Sequence, residues 1–424
     1  MLDIKFIREN PEIVKSNMEK KFKDPAKIDE LLELDEKVRN LMQENQKLRH
    51  SRNSISKRIS DAKKSGNEDE AKKAMLDAKT IPEKISKIEK DLESINSDLK
   101  KKLLQIPNMM HESVPVGKDD SENVELLKWG TPRKFDFEPK NHVEIIENLN
   151  LADFDTSSKT SGTGFYFLKG DLALLNQALI QFAIEFMLKR DYTYVEPPLM
   201  LHKDVLDAAM DTAAFEDSIY TIKNEDLHLI GTSEHALLGL HSNAVIAEKE
   251  LPKKYFSYSM CFRKEIGSHG INEKGLWRTH QFNKVEQFIF CKPEESCKYY
   301  DELLKNSEEL FQALGLPYRV IECCSGDLAT WKAKSADMEV WRPTTNDYGE
   351  ITSLTNATDF QARGLGIRVV YSDSSRAILH TLNNTAIATS RAMVAIIENY
   401  QNLDGSINIP EVLQRYMGKK VITK

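Results

Sequence analysis

The chain reads as an α+β protein: a long antiparallel helical hairpin, then a domain of antiparallel strands flanked by helices. Three observations predict this. Two stretches near the start keep seam residues at alternating steps of three and four, the pattern of a coiled coil. A turn signal, Ser65-Gly66-Asn67, separates them. Past residue 165, short strand-like runs joined by loops are interleaved with helical ones, as in an α+β sheet domain.

Residues 1–25 read as a short helical lead. The first seam runs through Leu31, Leu34, Val38, Leu41, Asn45, Leu48, Arg52, Ile55 and Ile59. The second runs through Ala71, Ala74, Ala78, Ile81, Ile85, Ile88, Leu92, Ile95 and Leu99. Joined by a tight turn, they make a hairpin whose arms extend roughly 50 Å or more at ~1.5 Å per residue. Pro82 should kink the second arm or open a fresh helix. Charge along the hairpin is sorted. Between Asn45 and Lys64 lie seven basic residues, Lys47, Arg49, Arg52, Lys57, Arg58, Lys63 and Lys64, against the single acid Asp61, whereas 29–44 is acidic. A solvated coiled coil would carry charge for solubility alone. The sorting favours a distal arm that touches phosphates, and the absence of aromatic residues suggests contact with backbone and shape rather than bases.

Residues 106–165 read as a connector of turn-forming clusters with little helical period. GDLALLNQALIQFAIEFMLKRDY then forms an amphipathic helix, and YVEPPLM a short strand ending in Pro197-Pro198. LHLIGT, YFSYSM, QFIF, YRVIECC and MEVW read as strands, with helices near 293–314 and 386–402. The expected division is an arm domain over 1–110, a linker and start of the second domain over 111–165, and the sheet domain proper over 166–424.

At 424 residues, 40% hydrophobic and 29% charged, the chain has the makeup of a soluble globular protein of two or three domains. A net charge of −7 argues against a uniformly basic nucleic-acid coat, so an RNA surface must be local. MLDIKFIREN lacks the apolar core of a secretory signal. The best membrane candidate, ALIQFAIEFML, is broken by Gln181 and Glu185, so no membrane association is expected. Five cysteines, Cys261, Cys291, Cys297, Cys323 and Cys324, form no CxxC; they fit free thiols in a reducing cytoplasm and argue against zinc. Neither GxGxxG nor GxxxxGK[ST] occurs.

The segment from Cys261 to Phe288 carries the densest chemistry. It reads as strand, loop, strand. Arg263 and Glu265 alternate on the first strand, which points both to one face. A loop follows with Gly267, Gly270 and Gly275 among Lys264, His269, Lys274 and Arg278, and the return strand carries Phe282 and Glu286. One surface would then hold a planar fork for phosphate, a ring for stacking and carboxylates for amines, which suits a nucleotide. Singly, an Arg–Glu pair is usually a surface ion pair and a strand Phe is usually core; the spacing of the set gives it weight.

This segment resembles motif 2 of the class II aminoacyl-tRNA synthetases, in wording similar to the seryl-tRNA synthetase family. The resemblance runs over essentially the whole chain. LDIKFIREN is similar to the family's first helix, and the hairpin to its tRNA-binding arm. The helix before Pro197-Pro198 resembles motif 1, which builds the dimer interface, and HTLNNTAIATSRAMVAIIENYQ resembles motif 3, with Arg391 as its arginine. Thr232-Ser233-Glu234 resembles the family's serine loop, and DMEVWRP with EITSLTNATDFQAR its ATP- and metal-contacting strands. Three departures stand out. Asn384 and Ala386 replace glycines, Thr385 replaces a common Ser, and Gly364 stands where a second arginine is common.

The resemblance implies a class II catalytic domain, a cytoplasmic homodimer, and the joining of L-serine to tRNA(Ser), and to tRNA(Sec) where that exists, through seryl-adenylate. Arg263 and Arg391 would be the catalytic residues. Thr232, Ser233, Glu234, Glu286 and Thr385 would bind L-serine. ATP would meet Arg263, Lys264, Glu265, Thr279, Phe282, Glu350, Ile351, Thr352, Ser353 and Arg391, with Mg2+ on Glu350 and Ser353. Arg49, Arg52, Lys57, Arg58, Lys63 and Lys64 would meet the tRNA. Neither step needs a nucleophilic side chain, so alignment and charge stabilisation carry the chemistry. A relative that loads a carrier protein would lack the long arm, and a decayed scaffold would have lost some of Arg263, Glu265, Phe282, Glu286 and Arg391.

Overall fold

The computed structural model describes residues 1–265 and 274–424, with the side chains of Ala71 and Ala213 also left aside. The loop residues Gly267, His269 and Gly270 and the seam side chain of Ala71 therefore lie outside the described residues. The chain divides into two compact units: Leu2–Glu19 with Lys23–Ile106, and Met1, Lys20–Phe22 and Pro107–Lys424.

The smaller unit is helical. Two short helices, α1 (Ile4–Glu9) and α2 (Pro11–Lys20), precede α3 (Ala26–Lys64), whose 39 residues reach about 58 Å at ~1.5 Å per residue. The chain reverses at Ser65–Asn67 into α4 (Glu68–Ala78) and then α5 (Ile81–Leu104). Pro82 stands in the first turn of α5, so it opens a fresh helix there, where a missing N–H costs nothing. The seam residues are the less exposed ones along both arms, and Ile81, Ile85 and Ile88 are buried against α3. Arg52 is the exception and is exposed. Near the base, Arg8 makes a two-point contact with the buried Asp35 at 2.8 and 2.9 Å, which ties α1 to α3. Burial would push the Asp35 carboxyl up, but Arg8 and Arg39 hold it below the usual range.

The larger unit is built on one eight-stranded sheet. Its strands are β1 (Val124–Trp129), β2 (Thr193–Tyr194), β3 (Lys253–Phe262), β4 (Gln281–Cys291), β5 (Tyr318–Glu322), β6 (Lys334–Arg342), β7 (Asp347–Thr358) and β8 (His380–Ala388), in the order β1-β5-β6-β7-β8-β4-β3-β2. All neighbours are antiparallel except the edge pair β2–β3. The stretch 106–165 is more ordered than a connector: it supplies the edge strand β1, α6 (His142–Asn148) and a helix over Phe154–Ser161. The strand expected at YVEPPLM shrinks to β2, which ends before Pro197.

α7 (Gly170–Leu188), α10 (Ser296–Ala313) and α12 (Thr389–Asn399) pack on the sheet, with α8 (Lys203–Ala209), α9 (Ser233–Gly239) and α11 (Phe360–Gly364) beside it. α7 has the length of a membrane span at 19 residues, yet half of it is buried in the core. α12 begins at Thr389, so the expected helix over 386–402 yields its first residues to β8. Alternation along β4 sets the site. Val285 and Ile289 enter the main core, and Gln287 is bonded by Asn306 at 2.9 Å on the same side. Phe282, Lys284 and Glu286 point the other way.

Candidate active site

A cavity of about 470 Å³ opens over β3, β4, β7 and β8, and Arg263, Glu265, Phe282, Glu286 and Arg391 all line it. One end is buried and already hydrogen-bonded. Glu286, 1% exposed, accepts from Thr385 Oγ1 at 3.3 Å and from Thr232 Oγ1 at 3.4 Å, and it forms a close ion pair with Lys284. Thr385 can do this because it stands directly across from Glu286 in the β8–β4 ladder. Thr232 caps α9 by accepting from the Glu234 N–H at 3.3 Å. Glu234 accepts from Gln361 Nε2 at 2.7 Å. Burial, followed by the charge of Glu286, pushes its carboxyl up to about 7. Beside it, burial and the positive charges of Arg263 and Lys284 drive the His235 imidazole down to about 3, so it is neutral, with Nδ1 unpartnered.

The other end is open. β3 ends at Phe262, so Arg263 and Glu265 do not alternate on a strand as expected. Arg263 continues the ladder by one bond, its N–H donating to the His280 carbonyl at 2.9 Å, and its Nε donates to the Gly231 carbonyl at 3.1 Å. Its guanidinium lies 5.3 Å from the Phe282 ring. Glu265 sits at φ 51°, a left-handed conformation that turns the chain, and it accepts from Arg278 Nη1 at 2.8 Å. Arg391, in the first turn of α12, donates from Nη1 to the Glu350 carbonyl at 2.7 Å and meets Glu350 Oε2 at 3.0 Å.

Glu350 and Ser353 are three apart, which on a regular strand would send them to opposite faces. The β6–β7 register slips between Met338 and Glu339, leaving Ile351 as an extra residue on β7. That bulge restores a common face, and both line the cavity. Desolvation acts to raise the Glu350 carboxyl, but Arg391, with Lys332 and Arg263 adding to it, holds the group below the usual range. An ionised, 47% exposed carboxylate beside a hydroxyl is a set of hard oxygen donors that fits Mg2+. Lys332 Nζ, donating to Ser353 Oγ at 3.2 Å, shares that patch.

Thr279, Ile351 and Thr352 also line the cavity, whereas Ser233 and Lys264 do not. Ser233 is fully buried in α9 with an unpartnered hydroxyl. The Lys264 ammonium lies 5.8 Å from the Tyr220 ring. Four cavity or near-cavity residues escaped the sequence reading. Lys284 could have been found from the alternation that placed Phe282 and Glu286. Asn383, two before Thr385, follows by the same rule, and its amide is buried without a partner. Lys332 sits in a loop with no motif to mark it, whereas Asp337, across the ladder from Ser353, opens the DMEVWRP block but was not singled out within it. Burial and the charge of Glu350 raise the Asp337 carboxyl to about 6. Among the described residues, the group that could hold another metal is Cys323, Asp327 and Asp337, and it lies outside the cavity lining.

The three departures have structural reasons. Asn384 points away from the cavity and donates to the Leu303 carbonyl and Ser307 Oγ of α10, both at 2.9 Å. Ala386 is the bulged residue of β8 and is buried in the core. At Gly364 a Cβ would come within 2.8 Å of the Ala208 Cβ, so the close seating of α11 on α8 excludes an arginine.

Comparison with known proteins agrees with this geometry. Residues 1–110 match the Seryl-tRNA synthetase N-terminal domain family, and residues 218–400 match the tRNA synthetase class II core domain (G, H, P, S and T). The chain is 45% identical to the serine–tRNA ligase of Methanoregula boonei, over 99% of both chains. Its fold is similar to the crystal structure of Pyrococcus horikoshii seryl-tRNA synthetase complexed with ATP, at TM-score 0.92 and 40% identity over 100% of this chain and 99% of the other. It is also similar to cytoplasmic serine–tRNA ligase from Naegleria fowleri in complex with AMP, at TM-score 0.86 and 35% identity, with 100% and 99% covered. On its sequence, its fold and the residues gathered in its cavity, the chain belongs to the seryl-tRNA synthetase family of class II aminoacyl-tRNA synthetases.

Proposed function

We propose that the chain is a serine–tRNA ligase. It activates L-serine with ATP to seryl-adenylate and pyrophosphate, then passes serine to the terminal ribose hydroxyl of tRNA(Ser), and of tRNA(Sec) where that exists. The observation that carries this reading is the gathering of Arg263, Glu265, Phe282, Glu286 and Arg391 around one cavity in a chain whose full-length relatives were solved with ATP and AMP.

The roles are those the family resemblance implies, and the placement of the residues around the cavity supports them. Arg263 grips the α-phosphate and the serine carboxylate, holding two anions together and stabilising charge as it develops at phosphorus. Phe282 offers its ring to adenine while Glu265 accepts from the adenine amine. Arg391 covers the other face and reaches the γ-phosphate, favoured by its place at a helix N-terminus. Lys264, Thr279, Ile351 and Thr352 complete the ATP contacts, Lys264 by moving from Tyr220. Glu350 and Ser353 would hold Mg2+, which supplies neutralisation of phosphate charge. Thr232, Glu234, Glu286 and Thr385 receive serine, with Ser233 fixing the α9 turn beneath them. Glu286 accepts from the serine amine or hydroxyl, so an alanine substrate leaves a buried acceptor unpaired.

Residues 1–110 form the tRNA-binding arm, 111–165 lead into the catalytic domain, and 166–424 complete it. Arg49, Arg52, Lys57, Arg58, Lys63 and Lys64, all exposed, contact the tRNA backbone. Apolar residues left exposed on and beside α7, Phe167, Leu174 and Leu188, support a homodimer through that surface. Five unpaired thiols fit a cytoplasmic setting. The test is ATP–pyrophosphate exchange with each of the amino acids. Serine alone should support it, and exchange with another amino acid, or with none, ends the reading.

A further inference from the structure

The geometry points to Trp277, backed by Arg342, as a positioning residue that sets where the Arg391 guanidinium stands when nucleotide binds. This rests on the reading of Arg391 as an ATP ligand.

Arg391 has two kinds of support. One is Glu350, through its carbonyl and its carboxylate. The other is Trp277: the guanidinium carbon lies 5.3 Å from the indole centroid, and Arg391 Nε donates to the Trp277 carbonyl at 3.4 Å. A metal on Glu350 would engage the carboxylate and weaken the first support. The indole does not compete with metal or phosphate, so its hold persists through binding.

Trp277 is itself pinned. The Arg342 guanidinium lies 4.2 Å from the same ring. A Cβ on Gly349 would come within 2.5 Å of the indole Cζ2, so the ring occupies the space that only a glycine leaves. One residue upstream, the Leu276 N–H donates to His142 Nε2 at 3.2 Å. Arg342 is held from behind by Glu398, its Nη2 at 3.1 Å and its Nε at 3.3 Å. Glu398 is fully buried and also bonds His142 Nδ1 and Thr344 Oγ1, both at 3.0 Å. Glu398 and Arg391 lie seven residues apart on α12, two turns along one face. The helix therefore offers Arg391 to the indole at one end and anchors Arg342 at the other. Moving the ring moves the arginine.

The experiment measures ATP and serine KM in pyrophosphate exchange, and ATP affinity by calorimetry, for Trp277→Leu, Trp277→Phe, Arg342→Lys, Gly349→Ala and Arg391→Ala. Trp277→Leu should weaken ATP roughly three- to tenfold, the range of a cation–π contact, with serine KM unchanged. Trp277→Phe, which keeps an aromatic face, should recover most of that loss. Arg342→Lys keeps the charge for Glu398 but not the planar stack, so it should weaken ATP as well. Gly349→Ala keeps every partner and displaces chiefly the ring, with the Arg342 Cδ next at 3.3 Å; it should match Trp277→Leu and guards against a merely unfolded variant. In an Arg391→Ala background, Trp277→Leu should add nothing. If it weakens ATP there too, the indole touches nucleotide directly and the inference is overturned. Wild-type ATP affinity in Trp277→Leu and Gly349→Ala overturns it equally. If instead Arg391→Ala alone leaves ATP affinity intact, the assignment of Arg391 fails first.

Discussion

The arm and the cavity use charge in opposite ways. On the arm, Arg49 and Arg58 stand in water and pair with the exposed acids Glu89 and Glu70. Such pairs are worth about 0–1 kcal/mol and yield readily to a competing anion. In the cavity, Glu286 and Lys284 are both nearly sealed from solvent, and Thr232, Thr385 and Gln361 spend their hydrogen bonds on the two acids there. The arm thus offers cations that any polyanion can recruit at low cost. The cavity offers charges already desolvated and oriented, so that substrate must match them. On the proposed function, specificity for a small hydroxyl amino acid would belong to the second arrangement, and long-range, salt-sensitive affinity to the first.

The largest effect that would break this contrast lies at Arg263. Arg263→Ala should lower serine-dependent pyrophosphate exchange by at least ~10²–10³-fold, the cost of losing a preorganised charge at the reacting centre. Unfolding midpoints should hold, because Arg263 is exposed to the cavity and bonds only backbone carbonyl among the described partners. Full exchange in a folded variant would show that the cavity's cations are as dispensable singly as those of the arm. Next in size, Glu286→Gln should raise serine KM by ~10²-fold while leaving ATP KM near wild type, since it removes the buried acceptor and leaves Lys284 uncompensated. Equal rises in both KM values would mean that the two ends of the cavity are not separable.

How much of this was readable beforehand differs between the regions for the same reason. Leu31 through Leu99 announce the hairpin because its fold depends on one face of each helix, and the periodicity of that face survives in one dimension. Pro82 marked the fresh start of α5 because proline acts on its own neighbours. Phe282 and Glu286 were placed by strand alternation, which held along β4. The same rule misplaced Arg263 and Glu265, since β3 stops at Phe262 and the turn at Glu265 does the positioning instead. Glu350 with Ser353 and the pairing of Thr385 with Glu286 both sit beside bulges, at Ile351 and Ala386, and a bulge leaves no local signal once the partner strand is unknown. The motif resemblance found those residues where periodicity could not. Lys332 fell outside both, because it reaches the site only through the sheet's tertiary closure; Asp337 lay within the DMEVWRP block, but nothing local distinguished it from its neighbours there.

A smaller and sharper test uses pH. On the proposed function Glu234 shares the serine pocket with Glu286 and would help receive the ammonium only when ionised; burial and the charge of Glu286 push its carboxyl up to about 7. Serine KM should therefore rise as pH falls below about 7, approaching tenfold per unit, with ATP KM flat; Glu234→Gln should remove the slope. The stability sign is opposite. An acid raised from 4.5 to about 7 favours the folded state while protonated, so its contribution is full below 4.5 and is lost as pH rises through about 7. Denaturant titrations of wild type and Glu234→Gln should diverge across that window by on the order of 3 kcal/mol. A serine KM independent of pH from 6 to 8 would place the amine elsewhere.

The least effect per residue is expected on the arm, and its pattern matters more than its size. Arg49 and Arg58 are partly neutralised by Glu89 and Glu70, whereas Lys57, Lys63 and Lys64 enter no ion pair among the described residues. A phosphate meeting one of these lysines displaces water and counterions only; a phosphate meeting Arg58 must first displace a carboxylate. Lys57→Ala, Lys63→Ala and Lys64→Ala should each raise the KM for tRNA by roughly two- to fivefold and shorten the salt slope by about 1, with Arg49→Ala and Arg58→Ala at the low end of that range. Pyrophosphate exchange, which needs no tRNA, should not move in any of them. Aminoacylation measured from 50 to 200 mM salt separates the outcomes. A salt slope unchanged in all five variants would make the sorted charge of the hairpin a matter of solubility, and the contrast with the cavity would then be one of burial alone.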